Sequence, residues 1–275
     1  MTSMTEVEGL LERLQCCTVI DLEQPRYFGS PTYVAHEPGY FYSLSRRHEA
    51  TGKGGRTSAS GFIFMADHSG THIDALSHQA WEMELHGGRD VTPQVQTPDG
   101  FTELGIEEVP PIMRRGVLLD VAGFRGVDRL GASELATVHD LEGAADSQGT
   151  QIGSGDVVLI RTGNGRIWDD SAAYEIGPGI DRSGAEWLAA MDVFAVGADN
   201  LALDVIGHED SELGALPAHT VLIVRSGIFI MENLFLEGLA SAGRHEFLFL
   251  CFPLKLRGVT GSPIRPVALV PEQAT

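Results

Sequence analysis

Short apolar runs rich in Val and Ile recur along the chain: Val19–Asp21, Gly61–Met65, Val117–Val121, Val157–Arg161, Val193–Val196, Val221–Val224, Phe247–Phe252 and Val267–Val270. Runs of this length between turn residues carry the pattern of buried strands. Between them the spacing predicts helices from an N-cap at Ser133 to about Ala145, over Arg182–Met191 and over Ile230–Ala240, the last two without a strong cap. Near the start, Leu10, Leu11 and Leu14 interleave with Glu6, Glu8 and Glu12, which suits an amphipathic helix and marks residues 1–17 as an N-terminal helical segment. The expected fold is mixed α/β with strands dominating.

The 275 residues are 43% hydrophobic and 21% charged, so a sizeable core forms without disulfides or a structural metal. No repeat or low-complexity tract divides the chain, and 1–275 reads as one domain. Thr51–Ser58 is the most flexible-looking segment and precedes the strand that leads to a histidine cluster, which predicts a loop near the site. Gly87–Gly100, with Pro93 and Pro98, reads as a long excursion.

A formal net charge of -19, with the 19 Lys and Arg residues scattered, excludes a nucleic-acid partner and tilts the substrate toward a neutral molecule. Cys16, Cys17 and Cys251 offer no disulfide framework. The first residues lack the basic start and apolar run of a signal peptide, and no stretch reaches the roughly 18 apolar residues of a membrane span. These features read as a cytoplasmic protein with a small-molecule partner and no membrane.

Chemistry is concentrated in His68-Ser69-Gly70-Thr71-His72-Ile73-Asp74-Ala75-Leu76-Ser77-His78, with three imidazoles and a carboxylate in eleven residues. Phe62 and Phe64 place a strand before it, so the cluster falls on a strand end or loop, where His68, His72 and Asp74 can converge. Neutral imidazole and carboxylate are ligands that Zn²⁺ and Mn²⁺ accept, and a partly open site leaves room for an activated water. The spacing therefore points to a metal-dependent hydrolase. The H-E-x-x-H pattern of zincin proteases is absent.

The run His68-x-Gly70-Thr71-His72-x-Asp74-x-x-x-His78 resembles the H-x-G-T-H-x-D-x-P-x-H signature of the metal-dependent cyclase superfamily, which includes bacterial kynurenine formamidases, isatin hydrolases and cyclic imide hydrolases. Leu76 replaces the usual proline, a departure that removes no ligand. Asp21-Leu22, Pro25 and Pro31-Thr32-Tyr33 are similar to its N-terminal elements, with Glu23 in place of a serine and Tyr33 in place of the frequent tryptophan. Val157–Gly163, Pro217-Ala218-His219, Glu232-Asn233-Leu234 and Gly261–Arg265 extend the likeness over roughly residues 18–270.

The resemblance implies a swivelling β/β/α fold and a homodimer or higher homo-oligomer. It implies that His68, His72 and Asp74 bind a first metal, that His219 binds a second, and that Glu232 bridges or completes the site. His78 becomes the proton-transfer residue, and Tyr33 a substrate contact. Isatin hydrolases resemble one-manganese enzymes with an amide at the glutamate position, and formamidases two-zinc enzymes, so Glu232 favours the latter arrangement. The expected cofactor is one or two Zn or Mn ions.

The expected reaction is attack of metal-activated water on the C–N bond of a cyclic amide or imide, toward which the chain's length tilts the choice. Arylformamidase activity, lactone or ester hydrolysis and a non-catalytic metal-binding role are the alternatives. Elsewhere, His208-Glu209-Asp210 reads as a solvated acidic loop and Cys251 as a core residue. No serine stands in a G-x-S-x-G setting, and the glycine clusters lack the phosphate-loop order.

Overall fold

The computed structural model describes residues 5–49 and 55–272. The N-terminal helix α1 spans Glu6–Gln15 and is capped by Thr5, whose side chain accepts from the Glu8 amide. Strands β1 (Cys17–Asp21), β2 (Tyr40–Arg46), β3 (Ser60–Met65), β4 (His72–Asp74) and β5 (Ile112–Asp120) follow. Next come α2 (Val138–Gln148), β6 (Val157–Arg161), α3 (Arg182–Ala190), β7 (Ala195–Ala198), β8 (Phe229–Glu232) and α4 (Glu237–Ser241). Strands β9 (Glu246–Cys251), β10 (Gly261–Pro263) and β11 (Val267–Pro271) close the chain.

Nine strands form one mixed sheet in the order β1-β11-β9-β5-β6-β7-β8-β4-β10. Its centre, β5 to β8, is parallel, while the flanking pairs are antiparallel. Side chains alternate across each strand. Thus Val158, Ile160 and Val196 join a core with Leu141 of α2 and Leu188 of α3, and Val157, Leu159 and Ala195 join another with Phe247 and Phe249. Burial on both faces is why these strands read as continuous apolar runs. No helix among the described residues is long and apolar enough to cross a membrane.

Most expected strands are present, with the third beginning at Ile112 and the fifth shifted to Ala195–Ala198. Val221–Val224 is not a strand: it lies in a π-helical stretch, Thr220–Ser226, closed by Gly227 at φ 68°. A fully buried apolar run of this length fits either geometry, and the covering layer, not the sheet, took it. Ile230 opens no helix, because β8 pairs in parallel with β7 there; Asn233 at φ 57° ends the strand and the helix waits until Glu237.

Ser133 is no N-cap: it sits at φ 53°, and α2 starts after Thr137, whose amide donates to Asp140 at 2.8 Å. Helix α3 does have a cap, Asp181, which accepts from the Gly184 amide at 2.9 Å. Residues 51–54 of the expected site loop lie outside the described residues, and 55–58 lie at the end of the β2–β3 hairpin instead of lining the histidine cavity. The excursion over 87–100 contains parts of two small hairpins, Glu84–Leu85 with Arg89–Asp90 and Gln96–Thr97 with Gly100–Phe101.

Candidate metal centre

Strand β4 lies between β8 and β10, with His72 opposite Glu232 on one side and Pro263 on the other. Alternation puts His72 and Asp74 on one face of the strand. The turn before β4 returns His68 to the same place, helped by Gly70 at φ 62° and by Gly261, where a Cβ would stand 2.6 Å from His68 Cε1. Asn233 ties the elements together: its Nδ2 donates to Gly70 O at 3.0 Å and its carbonyl accepts from Thr71 Oγ1 at 2.6 Å. Buried Tyr174 in turn donates to Asn233 Oδ1 at 2.9 Å.

Each of three buried imidazoles is oriented by a partner on its outer nitrogen. His72 Nδ1 lies 2.7 Å from Gly70 O, which only accepts, so that nitrogen carries the proton. His219 Nδ1 meets Asp204 Oδ2 at 2.8 Å, and Asp204 is itself set by the Ala218 amide at 2.7 Å. Thr260 donates its hydroxyl hydrogen to Asp67 at 2.8 Å and therefore accepts from His68 Nε2 at 3.0 Å.

The inner nitrogens all face Asp74 and Glu232. His68 Nδ1 stands 2.7 Å from Asp74 Oδ1; His72 Nε2 is 3.2 Å from Glu232 Oε2, and His219 Nε2 is 3.3 Å from Glu232 Oε1. Asp74 is also 3.5 Å from His72 Nε2 and 3.6 Å from His219 Nε2. Yet His68 Nδ1, both Asp74 oxygens and Glu232 Oε1 are buried with no hydrogen bond of acceptable geometry. Lone pairs facing lone pairs in a buried site call for positive charge between them.

Burial opposes ionisation of Asp74 and Glu232, but the surrounding imidazoles outweigh it and hold both carboxyls below the usual range. Burial likewise opposes charge on His219, and the hydrogen bond to Asp204 with the nearness of Glu232 pushes its pKa well above the ordinary value. Geometry and electrostatics agree that this centre favours a cation. A borderline divalent ion suits imidazole nitrogen and carboxylate oxygen, and outer hydrogen bonds of this kind fix ligand tautomers.

All six of the expected ligand and proton-transfer residues meet here. His78, beyond β4, has its ring 4.0 Å from that of His68, with a ring nitrogen within 4.8 Å of ligand atoms of Asp74 and His219. Burial pushes its pKa down to about 3, so its imidazole is uncharged at neutral pH. Leu76 packs against the core. A cavity of about 170 Å³ opens on the centre, walled by Tyr33, His36, Leu201 and Leu216.

His36, which sequence reasoning missed, stacks on His68 with ring centroids 4.6 Å apart. Its position three residues after Tyr33 was the only signal. Asp204 and Thr260 were missed as well, because their histidine partners are distant in sequence or unmarked by spacing. Glu209–Asp210 forms a small hairpin with Gly214–Ala215, away from the cavity, and Cys251 is buried in the core.

A family model described as "Putative cyclase" matches residues 20–205. The chain belongs to this cyclase family. The match ends before His219 and Glu232, but similarity to relatives runs further. An isatin hydrolase of Roseibium aggregatum is 26% identical over 274 residues, covering 97% of this chain and 94% of its own. A kynurenine formamidase of Bacillus cereus is 27% identical over 248 residues, covering 90% and 95%. A solved structure of a novel cyclase is 29% identical, with a TM-score of 0.82 over 96% of this chain and 91% of that one. The family fold is thus the mixed α/β fold described above.

Proposed function

We propose that this chain is a divalent-metal-dependent hydrolase that opens the C–N bond of a small cyclic amide or imide. The observation that carries the reading is the convergence of three oriented imidazoles on two buried carboxylates, three of whose four oxygens lack hydrogen-bond partners. His68, His72, Asp74, His219 and Glu232 would hold one or two Zn or Mn ions. Bound there, the cation supplies a Lewis acid for the substrate carbonyl and lowers the pKa of an attacking water.

The protein's own groups do the rest. Asp204, Thr260 and the Gly70 carbonyl hold the outer ring nitrogens and so orient the inner ones toward the centre. His78, neutral and beside the centre, takes the proton from the water that attacks the carbonyl carbon and delivers it to the nitrogen as the C–N bond breaks. Leu201 and Leu216 give the cavity an apolar side and Tyr33 and His36 a polar one, which suits a flat ring with one amide edge. The cavity is smaller than those that take drug-sized ligands, which favours a small substrate.

A second reading, hydrolysis of an N-formyl aryl amine, has specific support in Glu232, which completes a donor set large enough for two ions. The metal-loaded protein assayed with isatin, succinimide and N-formylkynurenine separates the two. Ring opening faster than deformylation is expected. Absence of turnover on every amide and imide, with turnover on lactones, would replace the C–N reading by an ester one.

A further inference from the structure

Side chains hold three consecutive carbonyls of the turn before β4, those of Ser69, Gly70 and Thr71. Arg26 holds two of them: its Nε donates to Ser69 O at 2.9 Å and its Nη2 donates to Thr71 O. Gly70 O, between them, accepts from His72 Nδ1 at 2.7 Å and from Asn233 Nδ2 at 3.0 Å. Gly70 also makes room for the arginine, since a Cβ there would stand 2.8 Å from Arg26 Cγ and 2.9 Å from its Nε. The guanidinium is packed against the turn.

Arg26 is itself fastened. Its Nη1 pairs with Glu23, and the two side chains are mostly withdrawn from water, at 11% and 21% exposure. On one side the Gln24 amide donates to Thr71 Oγ1 at 2.9 Å and Pro25 O accepts from Trp168 Nε1 at 2.8 Å; on the other the Tyr27 hydroxyl donates to Asp169 at 3.0 Å. A planar fork fixed in this way sets the peptide planes on both sides of Gly70, which a single ammonium cannot do.

We infer that Arg26 is a positioning residue for the metal centre. It acts through the Gly70 carbonyl on the ring of His72 and through the same turn on His68, whose inner nitrogens face Glu232 and Asp74. The inference rests on reading the centre as a divalent-cation site, and not on the hydrolase reading. Charge alone would act the other way: a guanidinium near a cation opposes its binding, so removing the arginine and leaving Glu23 would tighten the site. Positioning requires that removal loosen it.

Competition for zinc and for manganese between the protein and a chelating dye tests this on the wild type, Arg26→Lys and Arg26→Ala, with melting followed by circular dichroism. Arg26→Lys keeps the aliphatic stem and the charge but not the fork, and its affinity should fall by about tenfold, as when a group that orients a ligand is lost. Arg26→Ala should lose more, and dilute guanidinium, unlike ammonium at the same concentration, should recover part of that loss. If the alanine variant does not fold, the lysine variant decides. Unchanged or tighter binding by Arg26→Lys overturns the inference and leaves the cation reading standing. A loss in Arg26→Ala that guanidinium does not relieve overturns it as well, because Arg26 would then serve only the fold. A wild type that binds neither ion overturns both readings.

Discussion

Asp204 Oδ2 lies 2.8 Å from His219 Nδ1, on the side of the ring opposite the nitrogen that faces Glu232. The carboxylate fixes the tautomer and so aims a lone pair at the centre. Asp204→Asn should weaken divalent-metal affinity by about 10- to 100-fold while the protein stays folded. Competition with a chelating dye measures this, and unchanged affinity would show that Asp204 only packs the Pro217–His219 turn.

His78 is predicted to move protons without being needed to hold the ion. His78→Ala should keep its metal by elemental analysis and lose turnover by about 10² to 10⁴. Loss of metal with turnover would make His78 a ligand.

Asp140 accepts from Arg125 Nε at 2.5 Å and Nη2 at 2.7 Å and caps α2 through the Thr137 amide. Burial opposes its charge, but these hydrogen bonds outweigh burial and depress its pKa. A depressed carboxyl pKa adds stability above the unfolded value of about 4 and loses it as pH falls through the folded value. Asp140→Asn should cost about 1–2 kcal/mol at neutral pH, a figure kept modest because Arg125 is partly exposed. The difference between the denaturant melts of the two proteins should begin to shrink below about pH 4 and close as pH falls through the depressed folded value of Asp140; a constant difference would refute the ionic account.

Burial pushes the Cys251 thiol up to about 12, whereas Cys16 is exposed. A thiol reagent should label Cys16 in the native state and Cys251 only after unfolding. Native labelling of Cys251 would mean that the core around β9 opens readily.

The histidine cluster was legible because its chemistry is local: His68, His72, Asp74 and His78 lie within eleven residues. His219 and Glu232 carry no local signature, and only the likeness to a family pointed to them. Strand pairing explains why Glu232 lies there, since His72 and Glu232 become neighbours through β4 and β8. Thr260 and His68 are 192 residues apart, and no spacing rule connects them.

The parallel strands were readable as apolar runs, but the same property misled at Val221–Val224, where a buried helix shows no polar face to give its period away. At Ile230 the residues gave no strong helix start, and the pairing of β8 with β7 decided the conformation. Local propensity gave way to the partner that the sheet supplied.

The central claim is that His68, His72, Asp74, His219 and Glu232 converge to hold a divalent cation. Anomalous diffraction at the zinc and manganese edges, on crystals of the metal-loaded protein, addresses it directly. One or two peaks among these five side chains are predicted. No peak there, or a metal bound only elsewhere on the chain, would contradict the account.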